Sequence, residues 1–305
     1  MKDRAILIAG PTGSGKSALA LALAERCRGV IINADSMQVY RELRILTARP
    51  SPEDEAHVPH ALYGFIPARE AYSAGRYLAD AARAIATARA EARIPIVVGG
   101  TGLYFKALLE GLSPIPAVPE AIRARWRAEA RRLGAASLYR LLAERDPRMA
   151  AQLRPPDRQR VVRALEVLDA TGRSLADWQR IPGKPVLAAE TAIRIVVSPD
   201  RPDLYRRCDT RFDGMLEQGA LGEAAALRAL ALDPQTPAMT ALGVAPLLAH
   251  LAGALTLEAA VSQAKAGTRR YVKRQLTWLR RNMIAWRWLD TQETECCKRV
   301  EFPFI

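Results

Sequence analysis

Gly10-Pro11-Thr12-Gly13-Ser14-Gly15-Lys16-Ser17 is the stretch on which the fold of this chain turns. It matches the pattern GxxxxGK[ST], follows the apolar run Ala5-Ile6-Leu7-Ile8-Ala9 and opens an alanine- and leucine-rich segment from Ala18 to Glu25. Strand, glycine loop and helix in that order are the context this phosphate-loop pattern requires. Glycines let the backbone curl so that successive N–H groups point into one concavity, where the following helix presents the positive end of its dipole. Lys16 adds a point charge for a terminal phosphate, and the Ser17 hydroxyl can serve Mg²⁺. The loop therefore predicts a bound di- or triphosphate without saying which.

Further strands follow. Gly29-Val30-Ile31-Ile32-Asn33-Ala34 reads as a short apolar strand that ends at Asp35-Ser36-Met37-Gln38-Val39-Tyr40. Ligands of parallel sheets bind at the carboxyl ends of the strands, so Asp35 is a candidate general base or magnesium partner, with a helix N-cap as the alternative. Residues 41–73, with Pro50, Pro52, Pro59, Gly64 and Pro67, read as a loop-rich stretch with short helices. A helix is expected from Ala74 to Arg93. It is followed by a buried strand, Ile94-Pro95-Ile96-Val97-Val98, running into Gly99-Gly100-Thr101-Gly102. That second glycine turn permits close backbone approach to a ligand, with the Thr101 hydroxyl as a contact.

Pro114-Ile115-Pro116-Ala117-Val118-Pro119 marks a boundary, and from there to about residue 190 the pattern is helical and arginine-rich. Residues 112–190 hold fifteen Lys and Arg against nine Asp and Glu. The fold class is thus α/β: a P-loop NTPase-like parallel sheet core formed by 1–111 and 191–305, with an inserted helical subdomain at 112–190. The strand Ala192 to Ser198 returns to the core, and arginines in the next helix, Arg211 among them, can reach the phosphate pocket. In the last long helix Val272, Leu276, Leu279 and Met283 share one face at about 100° per residue. Arg270, Lys273, Arg274, Thr277 and Arg281 share the other, and Gln263 to Arg281 holds seven basic residues and no acidic one.

The whole chain carries 45 Lys and Arg against 32 Asp and Glu, a net charge of +13 over 305 residues. Such an excess points to a polyanionic partner, nucleic acid ahead of a membrane surface. Cys27, Cys208, Cys296 and Cys297 have neither zinc nor redox spacing, which excludes those classes and suits reduced thiols. No apolar run approaches a membrane span, and Met1-Lys2-Asp3-Arg4 lacks the apolar region of a signal peptide. A cytoplasmic, monomeric protein without membrane contact is expected.

Five ordered motifs carry a family resemblance over residues 6 to about 290. They are the phosphate loop, Asp35-Ser36-x-Gln38-x-Tyr40, Ala71-Tyr72-Ser73-Ala74, Gly99-Gly100-Thr101-Gly102-Leu103-Tyr104 and Lys273-Arg274-Gln275-x-Thr277-Trp278-x-Arg280. In this order they resemble the tRNA dimethylallyltransferases, also called tRNA isopentenyltransferases, of bacterial type. The resemblance implies transfer of a dimethylallyl group from dimethylallyl diphosphate to N6 of the adenosine 3′ of the anticodon, with Mg²⁺. It implies that Gly10, Pro11, Thr12, Gly13, Ser14, Gly15, Lys16 and Ser17 hold the diphosphate, with Ser17 beside the metal. Asp35 is then the general base, Thr101 lies near the reacting groups, and Lys16 and Arg211 stabilise the leaving group.

By the same resemblance Asp35, Ser36, Met37, Gln38, Thr101, Arg123, Gln159, Arg160, Val161, Val162 and Arg163 contact the tRNA anticodon stem-loop. So do Lys273, Arg274, Gln275, Thr277, Trp278 and Arg280. Two segments depart from the family pattern. Leu46-Thr47-Ala48-Arg49-Pro50 replaces Gly-Thr-Ala-Lys-Pro, and Met239 to Ala245 lacks the usual arginines and tyrosine, so no tRNA contact is carried to it. The rival readings are a small-molecule or nucleotide kinase, a nucleic-acid-binding protein with a vestigial loop, and a prenyltransferase of free adenine nucleotides.

Overall fold

A computed structural model of the chain describes residues 4–299, with side chains to 295; Met1–Asp3 and the side chains of Cys296 and Cys297 lie outside the described residues. Two compact units emerge, residues 1–109 with 186–305, and residues 110–185. The first unit begins with β1 (Ala5–Ala9), α1 (Lys16–Cys27), β2 (Gly29–Asn33), α2 (Pro52–His57), β3 (His60–Ala61), α3 (Ala74–Ala90), β4 (Ile94–Gly99) and α4 (Gly102–Glu110). The second holds α5 (Glu120–Arg132), α6 (Ala135–Arg145), α7 (Pro147–Ala150), α8 (Arg158–Thr171) and α9 (Leu175–Trp178). The chain then returns to the first unit through β5 (Ala192–Val197), α10 (Arg201–Glu217), α11 (Ala220–Ala229), α12 (Val244–Leu251), α13 (Leu257–Asn282), β6 (Arg287–Leu289) and α14 (Thr291–Arg299).

All six strands are parallel, in the order β3-β2-β4-β1-β5-β6. A parallel sheet covered on both faces needs apolar residues at every strand position, which is why its strands read as unbroken apolar runs. In β1 the alternation is visible only in what each residue meets. Ala5, Leu7 and Ala9 pack with Tyr77, Phe105 and Leu279. Ile6 and Ile8 pack with Leu19 and Leu23 of α1. The phosphate loop, Asp35 and the Gly99–Gly102 turn all follow the carboxyl ends of strands, the side on which parallel sheets bind ligands. Ala34 N–H donates to Val98 O at 2.7 Å and Thr101 N–H to Ala34 O at 3.1 Å, so the last two of these turns are tied together.

The loop-rich segment after β2 is anchored by a third apolar cluster that joins Val39, Tyr40, Leu43 and Leu46 to Phe212, Met215, Leu227 and Val244. The Glu223 carboxylate accepts from the N–H groups of Arg44, Ile45 and Leu46 at 2.7, 2.7 and 2.8 Å. A carboxylate held by three backbone donors fixes this turn and with it Leu46 and Thr47.

Residues 110–185 have their own core of Val118, Trp126, Leu138, Leu142, Val161 and Leu165. Asp169 joins Arg125 and Arg145 and accepts from Trp126 Nε1 at 2.8 Å. The return to the first unit lies earlier than the residue 190 expected from sequence. Val186 and Leu187 N–H groups both donate to Leu108 O, at 2.9 and 3.0 Å, and Leu187 is buried in the sheet's core. After the last long helix, Arg287–Leu289 adds an edge strand beside β5. Among the described residues no helix is long and apolar enough to cross a membrane.

Candidate active site

Gly13 and Gly15 have φ of +83° and +91°, left-handed values that favour glycine, and they give the phosphate loop its curl. Lys16 Nζ donates back to Pro11 O at 3.1 Å, and Ser17 is exposed in the first turn of α1. Burial pushes the Lys16 ammonium down to about 8; the Asp35 carboxylate opposes that shift and the Arg211 guanidinium adds to it. The three groups therefore sense one another's charge.

Asp35 is held by its own strand end. Asn33, fully buried, accepts from Asp35 N–H at 2.7 Å and donates through Nδ2 to the carbonyls of Asp35 and Leu62, each at 3.0 Å. Asp35 Oδ1 in turn accepts from Met37 N–H at 2.9 Å. No helix starts here, so the N-cap alternative lapses and the carboxylate sits in a tight turn with its second oxygen uncommitted. Thr101 Oγ1 accepts from Ser36 N–H at 3.0 Å, which seats the second glycine turn against the first residue after Asp35. Asn33 is a positioning residue the sequence reading passed over. Its signal was a polar side chain closing an apolar strand.

A cavity of about 370 Å³ opens at these residues. Thr12, Asp35, Ser36, Thr47 and Arg211 give it polar groups, and Met37, Leu46, Ala241, Leu242 and Tyr271 give it apolar surface. Desolvation lowers the Arg211 guanidinium from its usual value, and burial together with the Asp35 charge raises the Tyr271 hydroxyl, which favours its neutral form. Thr240, Ala241 and Leu242 come from the segment that departs from the family pattern, and they line the cavity with small and apolar groups. Arg49 donates to the carbonyls of Tyr40 and Arg41 at 3.2 Å under Gly64.

A cavity with a phosphate loop at one strand end, a fixed carboxylate at the next and an apolar lining suits transfer of an apolar group from a diphosphate. A family model described as "IPP transferase" matches residues 38–282, and one described as "Isopentenyl transferase" matches residues 3–60. A protein of Parvibaculum lavamentivorans named tRNA dimethylallyltransferase is 56% identical over 99% of this chain and 96% of its own. Another of that name, from Methylobacterium nodulans, is 57% identical over 96% and 97%. The chain belongs to the tRNA dimethylallyltransferase family. Among solved structures, a tRNA isopentenylpyrophosphate transferase of Bacillus halodurans superposes with a TM-score of 0.66 at 33% identity, over 94% of this chain and 90% of that one. A eukaryotic dimethylallyltransferase, captured acting on tRNA, gives 0.80 at 29% identity, over 94% and 74%.

The residues that the resemblance to this dimethylallyltransferase family assigned to tRNA fall into distinct environments. Lys273, Arg274, Thr277 and Arg280 are exposed on α13. Trp278 is half-buried; its ring lies against Gly102, where a Cβ would come within 2.0 Å of it, so a side chain at residue 102 would force the ring to shift. Ser36 and Met37 line the cavity, whereas Gln38 spends its amide on the carbonyls of Thr47 and Ala48, each at 2.9 Å. In the helical unit Arg123, Gln159 and Arg160 are at the surface, and Arg123, Arg160 and Arg163 pair with Glu120, Asp157 and Glu166. Two assignments need correcting. Val161 is fully buried in that unit's core, with Val162 packed beside it, because the helix must bury one face. Gln275 is only 6% exposed and points inward from α13.

Proposed function

We propose that the protein transfers the dimethylallyl group of dimethylallyl diphosphate to N6 of the adenosine 3′ of the anticodon, position 37 of tRNA, releasing diphosphate. The observation that carries this reading is the convergence of the phosphate-loop residue Thr12, Asp35, Arg211 and an apolar lining on one cavity whose wall includes Arg274 of the cationic helix. N6 attacks the allylic carbon, the bond from that carbon to the diphosphate oxygen breaks with its electrons staying on oxygen, and the N6 proton passes to Asp35. The loop's amides, Lys16 and Arg211 take up the charge that develops on the leaving group. Tyr271 and the small side chains Thr240 and Ala241 leave room for a base that must first leave its stack.

A divalent ion fits these residues on donor chemistry. Among the described residues no three His, Cys, Asp or Glu side chains cluster, which disfavours a zinc site. Mg²⁺ asks for less, a hydroxyl or one carboxylate plus substrate oxygens and water. Ser17 would supply that protein oxygen, leaving Asp35 to the proton. When bound, Mg²⁺ neutralises part of the diphosphate charge.

The exposed cations of α13 favour tRNA over a free nucleotide, since an isolated AMP needs no such surface. The test is a transfer assay with Mg²⁺, labelled dimethylallyl diphosphate and unmodified tRNA, run beside AMP and beside ATP with small acceptors. Label mapped to adenosine 37 is the expected result. Label in AMP alone would keep the chemistry and discard tRNA, and consumption of ATP alone would return the kinase reading.

A further inference from the structure

The Gln275 side chain is buried at the junction of three elements. Its Oε1 accepts from Thr12 N–H of the phosphate loop at 3.0 Å, and its Nε2 donates to Gly100 O of the second glycine turn at 3.0 Å. Only one amide orientation satisfies both bonds; the flipped one would set donor against donor and acceptor against acceptor. A Cβ on Gly100 would lie 2.3 Å from Nε2, so the turn is shaped around this amide. Next in sequence comes Thr101, whose hydroxyl seats Ser36 beside Asp35. One side chain thus bridges the loop that receives the leaving group and the turn that fixes the base. It does so from α13, whose neighbouring Lys273 and Arg274 are exposed.

We infer that Gln275 is a positioning residue that holds the diphosphate loop and the Asp35–Thr101 turn in register with each other and with α13, rather than a contact to tRNA. The inference rests on the reaction proposed above. Its physical basis is that one side chain makes both bonds, the one to Gly100 buried and the one to Thr12 half-buried at the cavity, so loss of the amide takes the partner from the Thr12 N–H and the Gly100 carbonyl together. The bond to Thr12 also uses one of the loop's amides, so the diphosphate is left to the N–H groups that follow it. In-line displacement depends on the angle between nucleophile and leaving group, and a misplacement of about 1 Å costs on the order of 10²-fold in rate.

The full-length wild type, Gln275→Met (similar in shape, no hydrogen bonds) and Gln275→Glu (acceptor kept, donor lost) test this. With saturating tRNA, Gln275→Met should lose roughly 10- to 100-fold in kcat while its tRNA Kd stays within about twofold of wild type. In the substrate-free protein, Thr12 amide hydrogen exchange should speed up in Gln275→Met and stay near wild type in Gln275→Glu. The exchange readout does not depend on the reaction, so failure of the transfer reading, seen as no label in tRNA with the wild type, is distinguished from failure of this inference. A tRNA Kd weakened as much as by Lys273→Ala, with normal kcat at saturation, would overturn the inference in favour of a tRNA contact. So would unchanged Thr12 exchange in Gln275→Met, or a kcat loss that vanishes at a temperature where the variant is fully folded. Should Gln275→Met not fold, kcat within twofold of wild type in Gln275→Glu overturns it.

Discussion

At the scale of single residues, Asp35 and Lys16 divide the work of one displacement, and each role has its own signature. Asp35 keeps Oδ2 free while Oδ1 is tied to Met37 N–H, so Asp35→Asn preserves the turn and removes only the proton acceptor. Turnover should fall by about 10² or more with tRNA affinity unchanged; normal single-turnover rates in that variant would remove Asp35 as base. Lys16 is a different case because burial already favours its neutral form, with a midpoint at about 8. A bound diphosphate favours the ammonium, so binding takes up a proton near that pH. The sign follows directly: affinity for a non-reacting prenyl diphosphate should be full below pH 8 and fall by up to about tenfold per unit above it. Calorimetric titration at pH 7, 8 and 9 checks this, and Lys16→Arg should abolish the midpoint. An identical affinity at all three would mean that Lys16 does not meet the diphosphate.

At the scale of elements, α13 sorts its cations by what lies opposite them. Lys265 and Arg269 pair with Asp213 and Asp209 of α10, each at 2.6 Å. Arg270, Lys273 and Arg281 are exposed and make no ion pair with a described residue. Lys273→Ala with Arg281→Ala should therefore weaken tRNA binding and flatten the dependence of log K on log salt by about 0.7–0.9 per lost phosphate contact. Arg269→Ala should leave the slope alone and lower stability by at most about 1 kcal/mol, as for other half-exposed pairs. Equal slopes in the two variants would return the whole face to solvent. This division was half legible in the sequence. The apolar stripe of Val272, Leu276, Leu279 and Met283 was readable from helical phase, and all four are buried. Gln275 lies only about 60° from Val272 in that phase, so its inward direction was available, but a motif assigned to tRNA drew attention to its charged neighbours instead. β1, β2, β4 and β5 were readable because a doubly covered parallel sheet leaves unbroken apolar runs. β3 and β6 were not, being two and three residues long at the sheet's edges, where pairing rather than composition makes the strand. The cavity's Thr240–Leu242 wall carries no local signal at all; it arises where a loop is carried by tertiary contacts.

At the scale of the whole molecule, the chain distributes its cores so that each unit closes on itself. The apolar cluster around Trp126, Leu142 and Leu165 draws only on residues between 110 and 185. The clusters that cover the sheet draw only on the remainder. The two chain crossings between units are pinned at one point, where Leu108 O accepts from both Val186 and Leu187. A short glycine-serine link from residue 109 to residue 186 would span a gap that the native chain has already closed, and loop-closure entropy at that length is small. Replacing 110–185 in this way should leave a protein that melts in one cooperative transition and binds prenyl diphosphate with wild-type affinity. Its tRNA binding should be weaker and less salt-dependent, because the cations of α5 and α8 leave with the insertion while those of α13 remain. Melting followed by circular dichroism, diphosphate titration and tRNA titration at several salt concentrations would read these three properties on one preparation. An insoluble or molten product would mean that the sheet unit depends on the insertion to fold. Undiminished tRNA binding would mean that the +13 net charge of the chain acts on tRNA through the sheet unit alone, and that the arginines of the insertion serve its own ion pairs.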